Sequence, residues 1–217
     1  MKRDGSFIRK DTETVLNDAT DSSTKTATAW QRFKTWRTNH PFFSLVFELV
    51  FMVIFIVIPF RSFIAQPFMV SGDSMVPTFA NRDYLIVNQL EKRFGDSLDR
   101  YDVVIFKYPG DESKYYIKRI IALPGETVVV VDGITTVFND ENPEGFEITD
   151  TYATGQTIGS ANYVLASDEY FVMGDNRENS SDSRFWGPLK ENNIIGTPFI
   201  RLFPADQAGL NPGSFAP

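Results

Sequence analysis

Apolar and polar residues fall into three textures along this chain. From Met1 to about Asn39 polar residues dominate, and Thr12–Ala29 is rich in Thr, Ser and Asp. Such a stretch buries too little apolar surface to offset its ordering entropy, so it reads as a flexible tail. Towards its end Trp30, Phe33 and Trp36 share one helical face, and tryptophan is common beside membrane spans. Phe42 to Phe60 is almost continuously apolar, interrupted by Ser44, Glu48 and Pro59. As a helix it would cover roughly 28 Å, close to the hydrocarbon thickness of a bilayer. No polar face is visible, unlike a helix packed on a soluble core. The pattern predicts one transmembrane helix. Glu48 falls two turns inside it, where protonation, reaching for the near interface and pairing with another helix are all open.

A cleaved signal peptide fits this segment poorly. The polar stretch ahead of it is far too long, and Phe63 occupies the place, two residues before Ala65, where a cleavage site needs a small side chain. Arg32, Lys34 and Arg37 precede the span, whereas only Arg61 follows closely. The positive-inside rule then puts the N-terminus in the cytoplasm and the rest outside. The expected layout is a cytoplasmic polar tail over 1–40, a transmembrane anchor over 41–64 and an extracytoplasmic domain over 65–217.

From Gln66 onward short β-prone runs alternate with turn residues. The runs are Tyr84–Val87, Val103–Tyr108, Tyr115–Ala122, Thr127–Val131, Tyr163–Ala166, Tyr170–Met173 and Thr197–Leu202. Breaks fall at Asn81–Asp83, Pro109–Gly110, Pro124–Gly125, Asp132–Gly133 and Gly174–Asn176. This predicts a mostly β, antiparallel domain rather than βαβ units, with Asp132–Gly133 as a hairpin turn. Ala205–Pro217 reads as a turn-like, frayed end.

Composition narrows the chemistry. With no cysteine, disulfides, thiolate metal sites and cysteine nucleophiles are excluded. The single histidine, His40, stands just before the apolar run, so a multi-histidine zinc site is excluded and any hydrolytic base must be another residue. Net charge is −7, and the basic residues are scattered or sit beside acidic ones. Nucleic acid is therefore not an expected partner.

Three segments remain as candidates for chemistry. Ser74 lies in Val70-Ser71-Gly72-Asp73-Ser74-Met75-Val76-Pro77-Thr78, where a strand ends in a turn. Serines in such a pattern usually make turns, though a nucleophile there would have an exposed hydroxyl and a backbone N–H nearby. Lys118 lies in Tyr115-Tyr116-Ile117-Lys118-Arg119-Ile120-Ile121-Ala122-Leu123-Pro124-Gly125, a lysine in an otherwise apolar strand. Exposed, it is a solvated side chain; buried, its pKa falls and the neutral amine can take a serine's proton without histidine. The third segment, Gly174 to Gly187, carries Asp175, Arg177, Asp182 and Arg184 among short polar residues. It is either a solvated loop or a network of paired charges. The interleaved arginines argue against a cation site, and no glycine-rich phosphate cradle accompanies them.

Together and in order, these segments resemble the boxes of type I signal peptidases: an apolar anchor, Ser-Met-x-Pro-Thr, Tyr-Ile-Lys-Arg-x-x-x-Leu-Pro-Gly and Gly-Asp-Asn-Arg-x-Asn-Ser-x-Asp-Ser-Arg. Arg100–Lys107 resembles a further family strand, with Tyr101 where glycine is usual, and the likeness runs from about Leu45 to Phe203. The resemblance implies a mostly antiparallel β catalytic domain of signal peptidase type on one N-terminal transmembrane helix. It implies Ser74 as nucleophile, Lys118 as general base and Ser180 as the hydroxyl that orients the base. Asp175, Arg177, Asp182 and Arg184 become structural support. Phe68, Val70, Met75, Leu85, Tyr116 and Ile117 become walls of shallow substrate pockets, positions that core packing explains equally well.

The implied substrates are preproteins with signal peptides ending in small residues, of Ala-x-Ala type, cut at the membrane surface without a cofactor. An extended substrate would add as a strand beside Pro67–Ser71. Some family members carry a hydroxyl two residues before the nucleophile; Gly72 stands there, and Ser71 would face the other way on a strand. Competing readings are a membrane-tethered β domain that only binds peptides, and a Ser-Lys peptidase with another dedicated substrate.

Overall fold

Residues two apart share one face of a pleated strand, and that alternation sets most of the architecture. The computed structural model describes residues 31, 41–58, 65–89 and 98–215. Trp30, Phe33, Trp36 and His40, and with them nearly all of the expected tail, lie outside the described residues. The chain divides into two units, Met1–Ile58 and Pro59–Pro217.

In the first unit α1 (Pro41–Met52) runs into a π-helical turn, Val53–Val57. Among the described residues no helix is long and apolar enough to cross a membrane. The uninterrupted span expected over Phe42–Phe60 is thus not found. The regular α ladder ends at Met52, where the β-branched run Val53-Ile54, followed by Ile56 and Val57, crowds the helix. Exposure of the large apolar side chains from Phe42 to Ile58 is between 38% and 70%, so the helix is apolar all round.

The second unit holds two antiparallel sheets. The larger is built from β1 (Ala65–Met69), β2 (Tyr84–Asn88), β3 (Val103–Tyr108), β4 (Asp111–Ala122), β9 (Glu169–Met173), β10 (Leu189–Lys190), β11 (Ile194–Phe203) and β12 (Gly209–Leu210). Its order is β1-β2-β11-β3-β4-β9-β10, with β12 paired to β11. The smaller contains β5 (Thr127–Val131), β6 (Ile134–Phe138), β7 (Phe146–Glu147) and β8 (Ala161–Val164), in the order β7-β6-β5-β8. The expected strands are all present, shifted by a few residues at their ends. Asp132 and Gly133 form the β5–β6 turn with φ of 51° and 86°. Pro67 is tolerated because β1 is an edge strand, and the β2–β11 register slips beside Pro198.

Alternation sorts the core into three clusters. Val103 and Ile105 of β3 face Val70, Met75, Phe79, Leu85 and Val87. Val104 and Phe106 face the other way, towards Ile120, Tyr170, Val172, Leu189 and Ile194. Val128, Val130 and Val137 of the small sheet pack with Ile121, Ala122, Phe171 and Met173. The C-terminal half of β4 is buried from Lys118 to Ala122 because packing covers it on both sides.

The C-terminal stretch is not frayed over its described length. Arg119 Nη1 donates to Gly213 O at 2.8 Å, and the Phe215 ring meets Tyr101 and Tyr152 edge-on at 5.3 and 4.8 Å between centroids. A buried arginine needing acceptors and two aromatic faces needing cover explain the docking. Truncating this partly buried ring should cost about 2 kcal/mol. Phe215→Ala is expected to melt roughly 5 °C below wild type in a thermal scan.

Candidate active site

Ser74 lies in the loop that leaves β1, and the loop is pinned from below. Met75 and Phe79 are buried in the core, Val70 N donates to Asp83 O at 2.9 Å, and Arg82 N donates to Val70 O at 2.9 Å. Arg201 of β11 donates to Thr78 O, approaches the Asp83 carboxylate at 3.4 Å and lies 4.7 Å above the Phe79 ring. Ser74 is half-buried.

Lys118 reaches this loop from β4. Its Nζ stands 2.6 Å from Ser74 Oγ and 2.8 Å from Ile117 O, with the Tyr116 ring 5.6 Å away. The lysine is 3% exposed. Burial pushes its pKa down from 10.5 to about 8; the nearby Asp182 and Asp175 carboxylates pull it up, and Arg184 lowers it further. At neutral pH a usable fraction of the amine is therefore neutral and within proton-transfer distance of a serine hydroxyl.

The charged residues of the third segment are paired, in an arrangement that its sequence alone leaves open. Asp182 accepts from Arg184 Nε and Nη2 at 2.8 Å each. Asp175 pairs with Arg119, outside the segment, through Nε at 2.9 Å and Nη2 at 2.6 Å. Arg119 is therefore buried rather than solvated. Arg177 turns to Asp150, with Nη2 donating to Oδ1 at 2.6 Å. Asp182 also caps α2 (Ser183–Trp186), and its carboxylate accepts from Gly174 N at 3.0 Å. Among the described residues no group of three or more His, Cys, Asp or Glu side chains is placed to hold a metal ion.

Ser180 is buried, and among the described residues its Oγ has no hydrogen-bond partner. The bond to Lys118 expected from the resemblance is not made; the lysine bonds instead to Ser74 and to a main-chain carbonyl. Ser180 nevertheless crowds the site. A Cβ on Gly174 would lie 2.2 Å from Ser180 Oγ and 2.5 Å from Ser74 O, so only glycine fits between them.

A groove of about 470 Å³ opens beside the pair. Phe68, Val70, Leu85, Tyr116 and Ile117 line it. Met75 does not: it points into the core at 1% exposure, because it anchors the loop on which Ser74 rides. Ser71 does line the groove, contrary to the strand-based expectation, because β1 ends at Met69 and strict alternation ends with it. Ile105, Tyr115, Asn179 and Ser181 also line it, and sequence reasoning missed them. Tyr115 and Ile105 lie in the two paired strands already in view, so the β3–β4 register could have found them.

Chemically, the arrangement suits a serine hydrolase that works without histidine. Residues 44–203 match the family described as signal peptidase, peptidase S26. A probable signal peptidase I-1 of Synechocystis is 38% identical, covering 72% of this chain and 81% of that protein. Signal peptidase I P of Bacillus subtilis subsp. natto is 38% identical, covering 68% of this chain and 82% of its own length. A crystal structure of a signal peptidase I from Enterococcus faecalis aligns with TM-score 0.40 and 25% identity, over 47% of this chain and 97% of that one. The chain belongs to the signal peptidase family, peptidase S26, and is a serine peptidase hydrolase.

Burial of Lys118 has a thermodynamic signature. Its folded pKa of about 8 lies below the 10.5 of the free side chain. The unfolded chain therefore binds more protons between those values, and stability rises with pH across that window. Below pH 8 the buried cation costs up to about 3 kcal/mol. Lys118→Met is expected to be more stable than wild type by about 1–3 kcal/mol at pH 7, with the gap closing as pH approaches 10.5. Urea titrations at several pH values measure it; a gap independent of pH would show that the amine is not desolvated.

Proposed function

We propose that this chain is a membrane-anchored endopeptidase that removes N-terminal signal peptides from exported preproteins, with Ser74 as nucleophile and Lys118 as general base. The observation that carries this reading is the 2.6 Å approach of Lys118 Nζ to Ser74 Oγ, made by an amine that is 3% exposed. Ser74 Oγ attacks the scissile carbonyl while its proton passes to Lys118. The ammonium returns that proton to the leaving amine as the carbon–nitrogen bond breaks. Water then hydrolyses the acyl-enzyme, with Lys118 again accepting a proton. Charge on the carbonyl oxygen falls to the Ser74 N–H. The paired Asp175, Asp182, Arg177 and Arg184 keep the strands in place.

Substrate shape follows from the groove. Its walls come from the end of β1 and from residues 114–118 of β4. Beyond β1 the large sheet has no further strand among the described residues, so an extended chain can add there by main-chain hydrogen bonds. Phe68, Val70, Leu85, Tyr116 and Ile117 make shallow apolar pockets suited to the small side chains of an Ala-x-Ala end.

Cleavage of a signal-peptide-bearing precursor by purified protein, with N-terminal sequencing of the product, tests the reading. Ser74→Ala and Lys118→Ala should both abolish cleavage. Lys118→Arg should be as inactive as Lys118→Ala, because a guanidinium stays protonated and cannot accept the proton. The wild-type rate should rise with pH through a midpoint near 8, where the amine becomes neutral. Near-normal turnover by Lys118→Arg would remove Lys118 as the base.

The layout proposed is a cytoplasmic tail over 1–40, a membrane anchor over 41–64 and an extracytoplasmic peptidase domain over 65–217. Its support is the helix whose large apolar side chains are all exposed to at least 38%, a surface that lipid would cover, and the basic residues Arg32, Lys34 and Arg37 ahead of it. Protease added outside intact spheroplasts should reach the region after Gln66 and spare Thr12–Ala29; cleavage within Thr12–Ala29 would reverse the topology.

A further inference from the structure

Ser74 is the proposed nucleophile, and a residue that binds its loop twice has so far no role. Asn176 grips two successive carbonyls: its backbone N–H donates to Ser74 O at 3.0 Å, and its side-chain Nδ2 donates to Asp73 O at 3.1 Å. The second contact matters because Asp73 C=O and Ser74 N–H belong to one peptide unit. That unit is planar and trans, so the two groups point in opposite directions. Holding the carbonyl on Asn176 therefore aims the Ser74 N–H away from Asn176. Among the described residues this N–H donates to no backbone carbonyl, although its own residue lines the groove.

The site depends heavily on that one donor. Gly72 has no side chain to offer, and its N–H is directed to Asn81 Oδ1 at 3.3 Å. Asn176 is itself held from the other side. Thr154 N donates to Asp175 O at 2.8 Å and Arg177 N donates to Thr154 O at 2.9 Å, bracketing it in a short parallel bridge. Thr154 Oγ1 also donates to Val76 O at 3.1 Å, so one stitch joins the Ser74 loop, Thr154 and the 174–177 loop. Asp73 O accepts a second bond from Val76 N at 3.2 Å. That bond closes the turn and leaves part of the orientation in place without Asn176.

On the peptidase reading above, we infer that Asn176 is a positioning residue for oxyanion stabilisation, fixing the Asp73–Ser74 peptide unit so that the Ser74 N–H faces the carbonyl oxygen of the scissile bond. A hydrogen bond to the carbonyl also polarises the amide and strengthens its N–H as a donor. The role requires a side-chain donor at this position. A carboxylate of the same shape would set oxygen against oxygen.

The test compares Asn176→Asp, which keeps the shape and loses the donor, with Asn176→Ala. Losing an oxyanion donor outright costs about 10²–10³ in kcat. Misaiming one that Val76 N still partly holds should cost about tenfold. Kinetics of precursor cleavage are combined with inhibition by a peptidyl aldehyde ending in alaninal. Ser74 Oγ adds to the aldehyde carbon, its proton passes to Lys118, and the former carbonyl oxygen occupies the oxyanion position. The matching peptidyl alcohol has no carbonyl to attack and reports ground-state binding alone. Both variants should lose about tenfold in kcat and in aldehyde affinity. KM and alcohol affinity should stay within about twofold, and in Asn176→Ala the midpoint of the pH–rate profile should not move, because Asn176 acts through the peptide unit and not through Lys118. The new carboxylate of Asn176→Asp raises that midpoint, as Asp175 and Asp182 raise the lysine's pKa.

Wild-type kcat and aldehyde affinity in both variants would overturn the inference while leaving the peptidase reading intact. Equal weakening of aldehyde and alcohol, or a shifted pH midpoint in Asn176→Ala, would also overturn it. If Asn176→Ala fails to fold, the Asp variant decides alone. Wild-type protein that neither cleaves the precursor nor binds the aldehyde would remove the peptidase reading first and this inference with it.

Discussion

Keeping water away from one amine is the constraint on which this structure turns. On the proposed mechanism Lys118 is useful as a base only if it is neutral near physiological pH, and only desolvation brings it there. The environment has to be dry yet close to solvent, because the hydroxyl it serves must meet a substrate. Lys118 meets that demand from the middle of β4, at 3% exposure, while Ser74 sits half-buried on the neighbouring loop. The same burial destabilises the protein whenever the amine is charged, so the surroundings must be firm enough to bear it.

The buried charges nearby solve a second problem. Asp175 and Asp182 both raise the Lys118 pKa, and unpaired carboxylates there would hold the amine in its charged form. Each is instead matched to an arginine, Asp175 to Arg119 and Asp182 to Arg184, with all four side chains at most 1% exposed. Arg184 in turn lowers the lysine's pKa. The pairs thus fix geometry while cancelling most of the field they would impose. Buried pairs of this kind add little net stability, but losing one partner leaves a stranded charge at a cost of about 3–5 kcal/mol.

Much of this was legible in the chain. Alternating runs such as Thr127–Val131 and the Asp132–Gly133 turn specify their own geometry, so the antiparallel domain could be read off locally. Ser74 and Lys118 were singled out only by the segments taken together, since alone a serine in a turn is ordinary and a lysine in an apolar strand is open to two readings. What stayed hidden depends on partners distant in sequence. Asp175 finds Arg119 and Arg177 finds Asp150, pairings that alternation cannot choose among several arginines and aspartates. Met75 looked like a pocket wall because its apolar side chain fits either role, and only the loop's anchoring turns it inward. The end of the chain looked frayed because its sequence is turn-rich, yet Gly213 O meets a need created by Arg119, almost a hundred positions earlier. Asn176 carried no separate signal, since a short amide in a polar loop resembles its neighbours.

Strand order has a consequence for the history of each molecule. The strand before Ser74, β1, is joined through β2 to β11, and only through β11 to β3 and to β4, which carries Lys118. β11 spans Ile194–Phe203, so the strand that knits the two halves of the sheet together comes after both of them in sequence. Closing such long loops is slow, because entropy is lost before the contacts that repay it have formed. Until β11 inserts, the sheet linkage between the hydroxyl and the amine is missing. On the proposed mechanism a chain in which β11 has not yet inserted is therefore a poor cutter of its neighbours. Placing the joining strand after both halves delays activity until that strand has folded in.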